Sequence, residues 1–137
     1  RDGKEVYYRA ADTEQIRLLH EIIEQQGLTG FNAIENRVNA SIQAQNSIIA
    51  TGGSVIYGKD AMKHLKEIST VVYLRLPCEE LAHRLGDLNE RGVSIRPGQT
   101  LADLYQERTP LYETYADHII DCHDLQIREI VEQISSL

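Results

Sequence analysis

The chain has 137 residues, about the length of one ordinary domain, and a domain of that size folds without disulfides or a bound metal. Its 14 lysines and arginines against 21 aspartates and glutamates give a net charge of −7, which argues against nucleic acid or an anionic membrane as a partner. Apolar runs fall far short of the roughly 20 residues of a membrane span, and two cysteines are too few for a disulfide framework. We therefore expect a cytoplasmic protein with no secretory leader and a single domain over residues 1–137.

Short β-branched runs alternate with helical patterns along the chain. The predicted strands are 5–8, 47–51, 70–76 and 118–121. Their apolar residues do not alternate with polar ones, which is typical of strands covered on both faces in a parallel sheet. Helical spacing of apolar residues fills the intervals 18–23, 31–42, 77–85, 101–112 and 127–134. Strands and helices in this alternation predict an α/β fold with a parallel sheet.

Four residues mark where the predicted helices begin, end or bend. Gly27 is expected to end the first helix, and Pro77 suits the first turn of a later one. Thr100 is a suitable N-cap residue for the helix that follows it. Pro110 lies inside the pattern of that same helix, where proline usually kinks or ends it.

A predicted strand runs directly into Gly52, Gly53 and Ser54. Two glycines let the backbone turn tightly and approach a ligand closely. Ligands of open parallel sheets bind just beyond the carboxyl ends of the strands, which is where this turn is expected. The pattern predicts a ligand-binding turn, and a tight turn without a ligand is the alternative.

The segment 88–99 has two arginines, Arg91 and Arg96, together with two glycines and a proline, and it lacks strand or helix periodicity. A loop of this length in a compact domain is usually a lid or a binding loop. Arginine in such a loop suits the charge of a phosphoryl group and can close over it. A solvated surface connection is the alternative.

Arg108 precedes Pro110 by two residues, so a bend in this helix could aim the guanidinium inward. Arginine binds a carboxylate through two parallel hydrogen bonds, which makes a small acid a natural partner. A surface salt bridge is the alternative.

The run 122–124, Cys-His-Asp, has metal-ligand residue types, but three adjacent residues cannot easily surround one zinc ion, so we predict no metal there.

In this order the segments resemble the shikimate kinase family, small P-loop kinases of the nucleoside-monophosphate-kinase type. The resemblance covers about residues 17–137 and is strongest at 50–54 and 107–112, with 116–117 following. It implies a three-layer α/β/α fold with a central parallel sheet and an arginine-bearing lid over about 88–99. It also implies ATP-dependent phosphoryl transfer, with Mg²⁺, to a hydroxyl of a small carboxylic acid in aromatic amino acid biosynthesis.

The resemblance implies roles for the residues that bind the acceptor. Gly52 and Gly53, with Ser54, approach its hydroxyl groups, and Arg108 holds its carboxylate. The family's Phe-Arg-x-x-Glu motif corresponds to 31–35, Phe-Asn-Ala-Ile-Glu, so Asn32 stands where a second acceptor-binding arginine is expected. The loss of one charge-assisted contact costs roughly 1.5–3 kcal/mol, so a hydroxylated acid other than shikimate is an alternative acceptor.

The resemblance also implies roles at the nucleotide. Arg91, as the lid arginine, reaches the ATP phosphates and stabilises charge in phosphoryl transfer, and Arg96 helps to close over ATP. The run 12–14, Asp-Thr-Glu, resembles the family's Asp-Thr-Asp, so Asp12 and Glu14 are the expected Mg²⁺ residues, with Asp12 also at the substrate.

The phosphate loop Gly-x-x-x-x-Gly-Lys-Ser/Thr does not occur in residues 1–137. We expect the printed sequence to be part of a longer kinase. The alternatives are a truncated gene product and a family member that has lost ATP chemistry, which would bind a small acid, dock on a partner or regulate a full kinase. We expect a small-molecule acid as the ligand, no nucleic acid or membrane partner, and a monomer or weak homodimer.

Overall fold

The computed structural model describes residues 13–85 and 96–137. The elements in chain order are α1 (Thr13–Ala40), a 3₁₀ helix (Gly53–Tyr57), α2 (Lys59–Ile68), β1 (Val72–Arg75), α3 (Cys78–Leu85), α4 (Leu101–Tyr115), β2 (His118–Asp121) and α5 (Ile127–Ser135). They fall into two compact units, the first ending at Ile68 and the second beginning at Ser69. A single domain over 1–137 stays a prediction, and the predicted strand at 5–8 lies outside the described residues.

Helix α1 is interrupted at Gly27. This residue has φ 66° and ψ −179°, a conformation that costs a side chain with a Cβ but that glycine adopts freely. The helix resumes after it and runs to Ala40. The predicted helix end at Gly27 is therefore confirmed as a break between two helical segments.

The second segment of α1 is joined to the start of α2 by one side chain. Oδ1 of Asn36 accepts a hydrogen bond from the backbone N–H of Ala61 at 2.9 Å, and its Nδ2 donates to Oδ2 of Asp60 at 3.0 Å. An N–H in the first turn of a helix has no partner within that helix, so Asn36 satisfies a group that α2 leaves open. The buried apolar residues of this unit are Val55, Ile56, Ala61, Met62 and Leu65.

The predicted strand at 47–51 is wrong. In the described part of the chain these residues form no strand, and the side chain of Ile48 is 66% exposed. A β-branched run is compatible with a strand, but a strand exists only where a neighbour pairs with it. The pairing in the described residues joins β1 and β2 alone.

The second unit contains a parallel pair of strands. Val72 lies opposite His118 and Arg75 opposite Asp121, with the residues between them in continuous register. Parallel neighbours need a crossover connection, and α3 and α4 lie in the chain between these two strands. The predicted α/β class with a parallel sheet is confirmed.

The two strands are not covered evenly on both faces. Ile120 is 5% exposed, and Tyr73 stacks on Tyr112 of α4 with ring centroids 5.0 Å apart. Leu74 and Ile119, however, are 46% and 44% exposed. Leu74 is the register partner of Ile120 and Ile119 that of Tyr73, so each face of the pair carries one covered and one exposed side chain. The expectation of strands buried on both faces is therefore wrong at Leu74 and Ile119.

Helix α4 begins with a capping box and passes through a proline. Thr100 accepts a hydrogen bond from the backbone N–H of Asp103, whose carboxylate accepts one from the N–H of Thr100, as the sequence predicted for this cap. The helix does not end at Pro110 but continues to Tyr115.

Within the described ranges, none of the helices combines the length and apolar character needed to cross a membrane.

Candidate functional site

The Gly52–Gly53 turn is an exposed backbone segment above a buried serine. Gly52 precedes the 3₁₀ helix with φ −69° and ψ 157°, and its carbonyl accepts a hydrogen bond from the N–H of Val55 at 3.2 Å. Both glycines are exposed, whereas Ser54 is 7% exposed. The backbone angles of Gly52 are open to any residue, so the backbone conformation does not require glycine at this position.

A carboxylate from α1 closely approaches Gly52. A Cβ placed on Gly52 would lie 3.3 Å from Oε1 of Glu35 and 3.8 Å from Oγ of Ser54. The first distance is tighter than an ordinary van der Waals contact, so an added methyl group would displace the Glu35 side chain. The turn therefore presents bare backbone with a carboxylate directly beside it.

Asn32 lies one helical turn before Glu35. Residues three apart on a helix are neighbours on its surface, so Asn32 and Glu35 share a face. Oδ1 of Asn32 is buried, and no donor among the described residues is within hydrogen-bonding distance of it. The structure thus brings together Gly52, Ser54 and Glu35 and places Asn32 beside Glu35.

Arg108 is a buried cation on α4. It is 7% exposed and lies one turn after Leu104, which is 5% exposed, so both face the interior of their unit. The prediction that this helix turns a guanidinium inward is confirmed in burial, although the helix continues through Pro110. A buried cation is stable only with compensating polar or anionic groups, so this position favours anions.

Arg96 is held on α4 by the residue before Arg108. Its Nη2 forms an ion pair with Oε2 of Glu107, and Nε2 of Gln99 donates to the same oxygen at 3.0 Å. Oε1 of Gln99 accepts from the backbone N–H of Arg96 at 3.2 Å. The Arg96 side chain remains 62% exposed, so its guanidinium is accessible to a phosphate.

Three of the predicted site residues cannot be placed. Arg91 and Asp12 lie outside the described residues, and so does most of the predicted lid. Glu14 belongs to the first turn of α1, but its side chain lies outside the description. Their roles at ATP and Mg²⁺ stay predictions.

A second charged cluster joins α3 to the segment after β2. Nδ1 of His123 contacts Oε2 of Glu80 at 2.8 Å, and its Nε2 lies 3.3 Å from Oδ2 of Asp124. The hydrogen bond to Glu80, with the nearby charge of Asp124, raises the pKa of His123. The same hydrogen bond, followed by the one from Arg84, lowers the pKa of Glu80.

Comparison with known proteins decides the family. The sequence model of the shikimate kinase family matches residues 11–137. The chain belongs to the shikimate kinase family. Shikimate kinase of Alteromonas mediterranea is 35% identical to it over 118 residues, which span 84% of this chain and 69% of that protein. Shikimate kinase 2 of Sodalis glossinidius is 31% identical over 127 residues, 83% of this chain and 72% of that protein.

A solved shikimate kinase has the same fold. The shikimate kinase from Acinetobacter baumannii, determined in complex with shikimate, superposes with a TM-score of 0.73 at 28% identity, over 90% of this chain and 73% of that one. The predicted family and its kinase fold are therefore confirmed.

Sequence reasoning missed three residues of this site. Glu35 borders the Gly52 turn, Asn36 ties α1 to α2, and Glu107 holds Arg96. Glu35 and Asn36 follow Asn32 by three and four residues, so helical spacing alone could have placed them on one face. Nothing in the sequence indicated that Glu107, rather than a ligand, would face Arg96.

Proposed function

We propose that this shikimate kinase family member catalyses ATP-dependent phosphoryl transfer to a hydroxyl of a small carboxylic acid. The observation that carries this proposal is the buried guanidinium of Arg108, at the position where the family motif has its acceptor-binding arginine. The shikimate bound to the Acinetobacter relative supports a hydroxylated acid of similar size as the acceptor.

Arg108 binds the carboxylate of the acceptor. Burial removes competing water, and the guanidinium offers two parallel N–H groups that match a carboxylate. Because an arginine stays protonated throughout the working pH range, the site keeps its positive charge whatever the pH. The acceptor is thereby fixed through a group that does not react.

The Gly52–Gly53 turn and Ser54 bind the hydroxyl-bearing part of the acceptor. Gly52 is exposed and has no side chain to separate a ligand from the backbone. Positioning of this kind supplies much of the catalysis in phosphoryl transfer, because there is little covalent chemistry for the protein to perform.

ATP supplies the phosphoryl group when bound, and Mg²⁺ neutralises its charge. Arg96 and Arg91 are the proposed phosphate-binding residues of this chain, and Asp12 and Glu14 the proposed Mg²⁺ residues. The donor set fits these roles, since guanidinium groups bind phosphate oxygens and carboxylates bind Mg²⁺. The exposed guanidinium of Arg96 can exchange Glu107 for a phosphate, because an exposed ion pair is weak.

Acceptor-dependent release of ADP tests the proposal. The full-length protein, with ATP and Mg²⁺, is offered shikimate and related hydroxylated acids, and ADP is measured by a coupled assay. We expect turnover that saturates with at least one acid and that drops in Arg108→Lys. If none of the acids stimulates the release of ADP, the proposed kinase activity is wrong and a binding role remains.

A further inference from the structure

A tight turn fixes the backbone of Arg96 in the unit that begins at Ser69. The N–H of Gln99 donates a hydrogen bond to the carbonyl of Arg96 at 3.0 Å, which closes a β-turn over the two residues between them. Gly98 has φ 80° and follows Pro97, and this pair of residues is typical of the centre of a type II turn. The position of the Arg96 guanidinium therefore depends mainly on the torsions of its own side chain.

The side chain of Gln99 connects Arg96 to Glu107 on α4. Its Oε1 accepts a hydrogen bond from the backbone N–H of Arg96 at 3.2 Å, and its Nε2 donates to Oε2 of Glu107 at 3.0 Å. The same oxygen of Glu107 forms the ion pair with Nη2 of Arg96. Among the carboxylates of residues 13–85 and 96–137, Glu107 alone pairs with this guanidinium. The turn and Gln99 thus hold the cation and the carboxylate together.

A phosphate group and Glu107 compete for the same cation. Both are anions that bind a guanidinium through its N–H groups, so each is attracted to Arg96 and they repel each other. The Arg96 side chain is 62% exposed, which leaves it open to a phosphate from solution. While Arg96 is paired with Glu107, the two charges cancel, and the pair attracts a phosphate less than a free arginine does.

We infer that Glu107 is a positioning residue that holds Arg96 away from the nucleotide, so that ATP has to displace its carboxylate and binds more weakly as a result. The inference rests on the proposed function, in which Arg96 binds a phosphate of ATP. It adds that nucleotide affinity is determined by a carboxylate of α4 that itself makes no favourable contact with ATP. Loss of the Glu107 charge should therefore strengthen nucleotide binding, and only while Arg96 is present.

Calorimetric titration of the full-length protein with the non-hydrolysable β,γ-imido analogue of ATP and Mg²⁺ tests this inference without turnover. Glu107→Gln keeps the size of the side chain and removes its charge. Because an exposed ion pair is weak, we expect a modest decrease in Kd, about three- to fivefold. In an Arg96→Ala background the same change should alter Kd less than about 1.5-fold, since the two residues act as one coupled pair.

Glu113→Gln is the matched control, because it removes the same charge from the same helix and Glu113 faces Arg75 at 3.9 Å instead. It should leave Kd unchanged, and thermal melting of each variant shows that the fold is intact.

Four results would overturn the inference and leave the proposed function in place. In Glu107→Gln these are weaker binding, unchanged binding, a gain equal to that of Glu113→Gln, or a gain that persists without Arg96. If the unmodified protein does not bind the analogue, the proposed function is wrong and the inference fails with it. That result is seen in the unmodified protein alone, so the two failures are distinguishable.

Discussion

Oδ1 of Asn36 accepts a hydrogen bond from the backbone N–H of Ala61 at 2.9 Å and so fixes the start of α2 against α1. Ala61 is fully buried, so water cannot replace this bond when it is lost. The same oxygen lies 2.6 Å from where a Cβ on Gly58 would be, which leaves no room for a side chain at that residue. Asn36 and Gly58 therefore determine the packing of the segment that carries the Gly52 turn.

This packing predicts that two glycine substitutions differ in how much stability they cost. Gly58→Ala forces Asn36 away from Ala61 and should lower the free energy of unfolding by about 1–3 kcal/mol, through overpacking and a lost buried hydrogen bond. Gly52→Ala displaces only the end of the Glu35 side chain, so its stability should change by less than about 1 kcal/mol. Urea unfolding compares the two. An equal loss in both would show that the turn, rather than Asn36, limits stability.

Arg108→Lys tests the carboxylate-binding role with little change in volume. Lysine keeps the positive charge but loses the two parallel donors, so KM for the acid should rise about tenfold or more with KM for ATP nearly unchanged. Arg108→Ala should abolish acceptor binding, and a melting temperature within a few degrees of the parent would separate binding from folding. If both variants unfold at room temperature instead, Arg108 is a structural cation.

Arg96→Ala tests the phosphate-binding role. The ion pair with Glu107 is partly exposed, and such pairs contribute about 0–1 kcal/mol, so the melting temperature should hardly change. KM for ATP should rise while KM for the acid stays the same. Arg128→Ala is the control, since Arg128 also forms an exposed ion pair, with Glu132 on α5. A similar effect of both variants on ATP would argue for general electrostatics.

The contact between His123 and Glu80 should make stability depend on pH. The pKa of His123 is raised, so its contribution is fully present below pH 6.5, its unfolded value, and is lost as the pH rises through the folded pKa. The pKa of Glu80 is lowered, so its contribution is fully present above pH 4.5 and is lost as the pH falls through the folded pKa. His123 and Glu80 therefore both contribute fully to stability between pH 4.5 and pH 6.5.

Melting temperatures of the parent and of His123→Gln measure this contribution. The difference between them should be largest between pH 4.5 and 6.5 and should shrink by pH 9. His83→Gln, a change on an exposed face of α3, is the control and should show no such pattern. A difference that is constant across this pH range would mean that the contact with Glu80 does not stabilise the fold.

Local signals in the sequence predicted local structure well. The helix end predicted at Gly27 and the N-cap predicted at Thr100 depend on a single residue and its nearest neighbours, and the structure confirms both. The strand predicted at 47–51 depended on a partner that the sequence cannot specify, and it was wrong. Helix α4 continues through Pro110 although proline cannot donate the backbone hydrogen bond of that position. A helix can therefore continue despite one missing backbone hydrogen bond.

The candidate site was predictable in its residue types but not in its contacts. The sequence predicts an inward Arg108 from a bend at Pro110, and the structure buries Arg108 on a helix that continues through this proline. The pairing of Arg96 with Glu107 and the approach of Glu35 to Gly52 depend on tertiary packing and were not foreseen. The roles of Asp12, Glu14 and Arg91 stay predictions from the family resemblance.

Direct detection of the phosphorylated acid is the most decisive measurement. The full-length protein is incubated with ATP, Mg²⁺ and shikimate, and phosphorus NMR follows the products. The account predicts a new phosphate-monoester resonance that grows as ATP is consumed and that is strongly reduced in Arg108→Lys at the same acid concentration. Conversion of ATP to inorganic phosphate alone, or no change in ATP with shikimate or any related acid, would contradict it.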